Sequence, residues 1–133
     1  MTTPTLTWLD KFFGAADAWV STKSEITTTD ATVTVLASYA EPASQKTEAY
    51  RVSVLCEETP VNNDAMAYVL TRAFKNASGT VTAIHPTIID GGTTVSPPSA
   101  DLVYNGTTKT VELRVTGIAA RFFKWRCVRL EAA

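Results

Sequence analysis

The sequence predicts an all-β fold: an antiparallel β-sandwich of jelly-roll or Greek-key type, six to eight strands, preceded by a short N-terminal helix. Three observations predict it. Apolar residues recur with a period of two in runs rich in Val, Thr, Tyr and Phe. Turn-forming Gly, Asn, Asp and Pro clusters separate those runs about every ten residues. Only one segment, near the N-terminus, has helical spacing.

That segment comes first. Trp8, Leu9, Phe12, Phe13, Ala16, Trp19 and Val20 fall on one broad stripe at helical periodicity. Thr7 is a suitable N-cap, and Asp10 lies three residues on, where a carboxylate reaches back to the unpaired amides. Gly14 costs about 1 kcal/mol relative to alanine. A helix over residues 8–19 is the expectation.

The period then changes. In Ala31–Leu36, Val33 and Val35 alternate with threonines. Residues 48–57 put Tyr50, Val52, Val54 and Cys56 on one face, with Arg51 and Ser53 on the other. Residues 65–74 align Met66, Tyr68, Leu70 and Phe74. Asn76-Ala77-Ser78-Gly79 then leads into residues 80–84, so these two runs are expected to pair antiparallel. Asp90-Gly91-Gly92 and Pro97-Pro98 mark a longer surface loop. Asn105-Gly106 joins residues 101–104 to 109–115 as a hairpin, because both residues tolerate positive φ. The last run, 121–130, places Phe123, Trp125 and Cys127 on one face and Lys124 and Arg126 on the other. The chain accordingly divides into an N-terminal arm with its helix, residues 1–30, and a β-sandwich domain, residues 31–133.

Composition narrows the chemistry. A chain of 133 residues with 45% apolar and 19% charged residues can build one core without a disulfide or metal. Twelve basic against thirteen acidic residues leave a net charge of −1, which speaks against polyanion binding and against attraction to an anionic membrane. No run reaches the ~18 apolar residues of a membrane span. The opening MTTPTLTWLDKFF lacks the order of a secretory signal, so synthesis in the cytoplasm is expected. Cys56 and Cys127 sit inside apolar runs and read as buried reduced thiols rather than a disulfide.

Catalysis needs a nucleophile, a base and an orienting group. His85 is the only histidine, before Pro86, and reads as a partly exposed loop residue. One histidine and two remote cysteines give no zinc spacing. Glu57 and Glu58 are adjacent on a strand and point to opposite faces, so they do not form a carboxylate pair. Asn62, Asn63 and Asp64 lack the spacing of a calcium loop and read as a turn. The expectation is a non-enzyme with no cofactor, no metal, no small-molecule substrate and no nucleic-acid or membrane partner. Five of the twelve basic residues fall late, at Arg114, Arg121, Lys124, Arg126 and Arg129, and read as a solvated or partner-facing strand. Four of the eight Trp and Phe residues lie within 8–19. Their stripe either caps an open end of the sandwich or docks into another subunit. The candidate partner-interface residues are therefore Trp8, Leu9, Phe12, Phe13 and Trp19 with Lys124 and Arg126, Trp8 and Phe12 foremost.

Residues 102–131, LVYNGTTKTVELRVTGIAARFFKWRCVRLE, resemble the small β-sandwich domains of tailed-phage virion proteins, whether capsid decoration (cement) or tail-fibre-like. The likeness lies in a strand ending Val115-Thr116-Gly117, a turn Ile118-Ala119-Ala120, and a final strand carrying Trp125. Residues 68–84 resemble the preceding hairpin of such domains, while the basic last strand and aromatic N-terminal segment fall outside the pattern. The resemblance implies a virion protein made in the host cytoplasm. It would be a capsid decoration protein, a homo-oligomer (trimer or dimer) bridging copies of the major capsid protein or other virion proteins. The alternative it implies is a tail-fibre or spike component that binds host-surface glycan through loops such as 86–98.

Overall fold

Backbone pairing in the computed structural model is antiparallel throughout residues 24–59, 64–94 and 99–130, which are the residues the structure describes. The predicted helix at 8–19, and with it Trp8, Leu9, Phe12, Phe13 and Trp19, lies outside them. The described strands are β1 (Ser24–Thr28), β2 (Val33–Ala40), β3 (Thr47–Glu58), β4 (Ala65–Ala77), β5 (Thr80–Ala83), β6 (Ile88–Thr93), β7 (Ser99–Asn105), β8 (Thr110–Thr116) and β9 (Phe123–Arg129). They form two sheets. The larger runs β1-β9-β3-β4, with β5 and β6 both on the far side of β4, and the smaller runs β2-β8-β7. The last strand is thus inserted between the first and third.

Nine described strands exceed the six to eight expected, and the two additions have identifiable causes. β1 pairs with β9 from Ser24↔Cys127 to Thr28↔Phe123, so part of the expected 1–30 arm is a strand of the larger sheet. β6 occupies the segment read as a loop. The strand β4 is thirteen residues long, enough to carry β5 along Phe74–Ala77 and β6 along Met66–Thr71 on the same edge. Gly91, at φ +147°, makes β6 possible, because a Cβ there would lie 2.0 Å from the Ala67 carbonyl oxygen and 2.7 Å from the Tyr68 ring.

The buried faces of β3, β4 and β9 follow the alternation closely. Tyr50, Val52, Val54, Cys56, Met66, Leu70, Phe74, Phe123, Trp125 and Cys127 all lie in the core. Leu102, Val111, Leu113 and Val115 meet them from the smaller sheet. Trp125 is fully buried and donates from Nε1 to Thr28 Oγ1 at 2.8 Å, so its one polar group is satisfied. In β2 the pattern misleads. The register shifts between Val35 and Ala37, which turns Leu36 and Tyr39 inward and leaves Val33 60% and Val35 41% exposed.

Both predicted hairpins form. The β4–β5 turn places Ser78 and Gly79 at φ 55° and 93°, the mirror-image geometry of a two-residue hairpin, and Asn76 Oδ1 accepts from the Gly79 amide at 2.8 Å. The β7–β8 turn differs from expectation. Its ladder closes at Asn105↔Thr110, the positive φ falls on Lys109, and Asn105 acts through its side chain, accepting from the Thr107 and Thr108 amides. A longer loop stabilised by an Asx turn replaces the two-residue one.

Candidate functional site

The two faces of the larger sheet differ in chemistry. Inward residues are large. Outward residues on β3 and β4 are mixed: Ala49, Arg51, Ser53, Leu55 and Glu57 on β3, and Ala65, Ala67, Val69, Thr71, Ala73 and Lys75 on β4. Register aligns them in rows. One row crosses the sheet as Glu25–Arg126–Leu55–Ala67–Gly92. The next runs Val128–Ser53–Val69–Asp90. Leu55 is 45% exposed. Along the first row lies a shallow depression of about 340 Å³, bordered by Leu55, Ala65, Ala67, Gly92, Thr94 and Arg126. The small residues Ala65, Ala67 and Gly92 leave room there for side chains of another element.

Lys124 and Arg126 lie on this outward face, at its β9 side, as their alternation predicts. Their charges are matched locally. Lys124 Nζ is 3.6 Å from Glu25, and Arg126 Nη2 is 3.3 Å from Glu57. Arg126 Nε is buried without a hydrogen-bond partner among the described residues. The other late basic residues are matched too: Arg114 with Glu112, Arg129 with Glu48, and Arg121 with both Glu58 and Asp64. Arg129 also stacks on Tyr50 and Tyr39, with centroid distances of 4.6 and 5.4 Å. The late basic cluster is therefore a set of ion pairs and not a continuous positive stripe.

Arg121 builds the most connected of these pairs. Its Nε and Nη2 donate to both carboxylate oxygens of Glu58 at 2.8 Å, and Nη2 also reaches Asp64 at 2.5 Å. Hydrogen bonds from Arg121 hold both carboxyls below their usual range, and Thr94 adds a second bond to Asp64. This ties the end of β3 to the β8–β9 link.

His85 has a structural task that sequence reading missed. Between β5 and β6, residues Arg72 and Ala73 of β4 face no strand on that edge. The Ile84 amide donates to the Ala73 carbonyl at 3.0 Å, and the Ala73 amide donates to His85 Nε2 at 3.2 Å. Nδ1 lies 2.6 Å from the Pro86 carbonyl, so Nδ1 carries the proton and Nε2 accepts. Beside it, Arg72 donates to the carbonyls of His85 (3.0 Å) and Leu102 (2.7 Å), joining the two sheets. No sequence signal marks a histidine that substitutes for a strand.

Cys56 and Cys127 are both free and buried. Register makes them diagonal neighbours, since Cys56 opposes Trp125 and Cys127 opposes Val54, a spacing too wide for a disulfide. Burial pushes the Cys56 thiol up to about 12 and raises Cys127 as well, so neither is an available thiolate at neutral pH.

Sequence reasoning named Lys124 and Arg126 but passed over Leu55, Ala65, Ala67 and Val69. The available signal was the run of Leu55, Ala65, Ala67 and Val69 among the alternate residues of 48–57 and 65–74, although Arg51, Ser53, Glu57 and Thr71 share that alternation.

No protein-family model and no curated protein matches this chain. Among solved structures, it is similar to the tailspike protein of Acinetobacter phage vB_ApiP_P1, with 17% identity and a TM-score of 0.46 over 82% of this chain. The match spans 21% of that tailspike, about a fifth of its length.

Proposed function

We propose that this chain is a structural protein of a tailed-phage virion, a capsid decoration (cement) protein that acts by packing against the shell and not by catalysis. The observation that carries the reading is the outward face of the larger sheet. It presents the small side chains of Ser53, Ala65, Ala67 and Val69 with Leu55, beside Arg51, and its charges at Lys124 and Arg126 are balanced by Glu25 and Glu57. A surface of that kind fits a protein partner, where small residues allow close approach and balanced charge limits the desolvation cost. The strand–turn–strand resemblance at 102–131 supports the same reading, and those residues fold as β7, β8 and β9 around the buried Trp125.

In this reading the partner is the major capsid protein or another virion protein. The chain acts as a homo-oligomer, and its contacts are Trp8, Leu9, Phe12, Phe13 and Trp19 together with Lys124 and Arg126. A protein that binds only the assembled lattice stabilises it by linkage, without any covalent step. The test is co-sedimentation of the purified chain with phage capsids that lack a decoration protein, followed by thermal rupture. Saturable binding at hundreds of copies per capsid with a raised rupture temperature is expected. Absence of binding overturns the reading, and recognition of host glycans on an array would move it to a tail-spike component.

A further inference from the structure

Arg121 with Glu58 and Asp64, and Arg114 with Glu112, are ion pairs with each partner in place. His85 is of another kind, because its bond to the backbone exists in one protonation state alone. Nε2 accepts from the Ala73 amide at 3.2 Å, and Nδ1 donates to the Pro86 carbonyl at 2.6 Å. An imidazole that takes a second proton carries N–H at both positions and accepts nothing. We infer that His85 is an acid-released latch: protonation breaks its bond to β4 and frees the start of the edge strand β6. The β4 edge then has two states, covered at neutral pH and open in acid.

The latch sits at a gap in the ladder. Arg72 and Ala73 lie between the part of β4 paired with β5, Phe74–Ala77, and the part paired with β6, Met66–Thr71. All six residues of β6 are exposed, so side-chain burial does not hold it. Its backbone pairs with Met66–Thr71 do, together with a tie at each end. At the start, Thr87 donates to Asp101 of β7. At the far end, Thr94 accepts from the Ala65 amide at 2.9 Å and donates to Asp64 at 3.0 Å.

Protonation and the closed latch exclude each other. The new Nε2–H would face the Ala73 N–H, and a second positive charge would stand beside Arg72, which donates to the His85 carbonyl at 3.0 Å. The other charged groups on the adjoining strands are Lys75 on β4, Asp90 on β6 and Asp101 on β7; β5 carries none. The ring is half-buried between exposed Ile84 and Pro86, so water reaches it and hydrates it once it swings out. The sign follows: the latch is closed above the range in which imidazoles titrate, about pH 5 to 8, and opens as pH falls through it. Asp64, held below the usual carboxyl range by its bond from Arg121, stays ionised in that window. The Thr94 tie therefore persists, and β6 frays from its Ile88 end.

The latch belongs to the free chain and does not depend on what the outward face binds. Its test is NMR of the full chain at pH 7.5 and pH 5.0, with exchange rates divided by the intrinsic rate at each pH. The imidazole nitrogens of His85 are expected to report the Nδ1–H tautomer at pH 7.5. At pH 5.0, protection of the Ala73 amide and of the Ile88 end of β6 is expected to fall about fivefold or more, the worth of one backbone hydrogen bond. The Thr94 end and the β3–β9 ladder should keep theirs. His85→Gln carries an acceptor that does not titrate, so its protection should be the same at both pH values. His85→Ala should already be open at pH 7.5. An Nε2–H tautomer at pH 7.5 overturns the inference, as does protection in wild type that ignores pH. Acid loss in His85→Gln equal to that of wild type also overturns it, because another group then titrates. So does loosening that spreads evenly into β3 and β9, which is general acid destabilisation.

Discussion

Strands β9 and β6 belong to the same sheet and are of similar length, yet they are held by opposite means. β9 lies between β1 and β3 and alternates buried and half-buried residues, with Phe123, Trp125 and Cys127 in the core. β6 lies on the edge beside β4, and all six of its residues are exposed, Ile88 and Ile89 to 57% and 50%. Side-chain burial holds β9. Backbone pairing to β4 holds β6, helped by a glycine that lets the strands approach and by the His85 bridge at its start. One strand is specified by what its side chains bury, the other by what its backbone can tolerate.

The largest expected effect tests the first mechanism. Trp125→Ala removes the largest buried side chain and the bond to Thr28, and a loss of ~3–5 kcal/mol in denaturant unfolding is expected. A loss under 1 kcal/mol would mean that β9 is not the centre of the core.

Next is Gly91→Ala. Its Cβ meets the Ala67 carbonyl at 2.0 Å in a left-handed backbone, so a cost of ~1–3 kcal/mol is expected. Faster amide exchange should be confined to the β4–β6 ladder. Spread of that exchange into β3–β9 would show that the two strands are not held independently.

His85→Ala is expected to cost ~1 kcal/mol, the worth of one backbone bond lost to a side-chain acceptor. His85→Gln, whose amide oxygen can accept from Ala73, should recover part of the loss. Equal stability of wild type and His85→Ala would remove the bridge from the account of β6.

The smallest effect concerns the ion pairs that flank β9. Glu58 and Asp64 are held below the usual carboxyl range by Arg121, so their contribution is present above pH ~4 and is lost as pH falls through the depressed folded values. The gap in Tm between wild type and Arg121→Met should accordingly be widest near neutral pH and close below pH ~4. A gap that persists at pH 2 would mean that Arg121 acts through its stacking on Phe123 instead.

Much of this was legible in the order of residues, and the boundary of legibility is physical. A period of two with β-branched and aromatic residues marks a strand with one wet face, so the inward sets of β3, β4 and β9, the β4–β5 pairing and the buried state of both cysteines followed from the sequence. Local pattern is blind where a partner distant in sequence decides the outcome. Ile88–Thr93 reads as a loop because Asp90-Gly91-Gly92 disfavours strands in isolation, and only the spare edge of β4 recruits it. Val33 and Val35 read as buried until the register shift in β2 turns them out. The candidate face was half legible: alternation placed Lys124 and Arg126 outward, but the patch of Leu55, Ala67 and Val69 exists only once β3 and β4 align in register. Sequence determined which side chains β3, β4 and β9 bury, because that follows from the pleat of one chain. Tertiary structure decided which strands are neighbours and what surface they make together, because inter-strand hydrogen bonds carry no signature in the residues that form them.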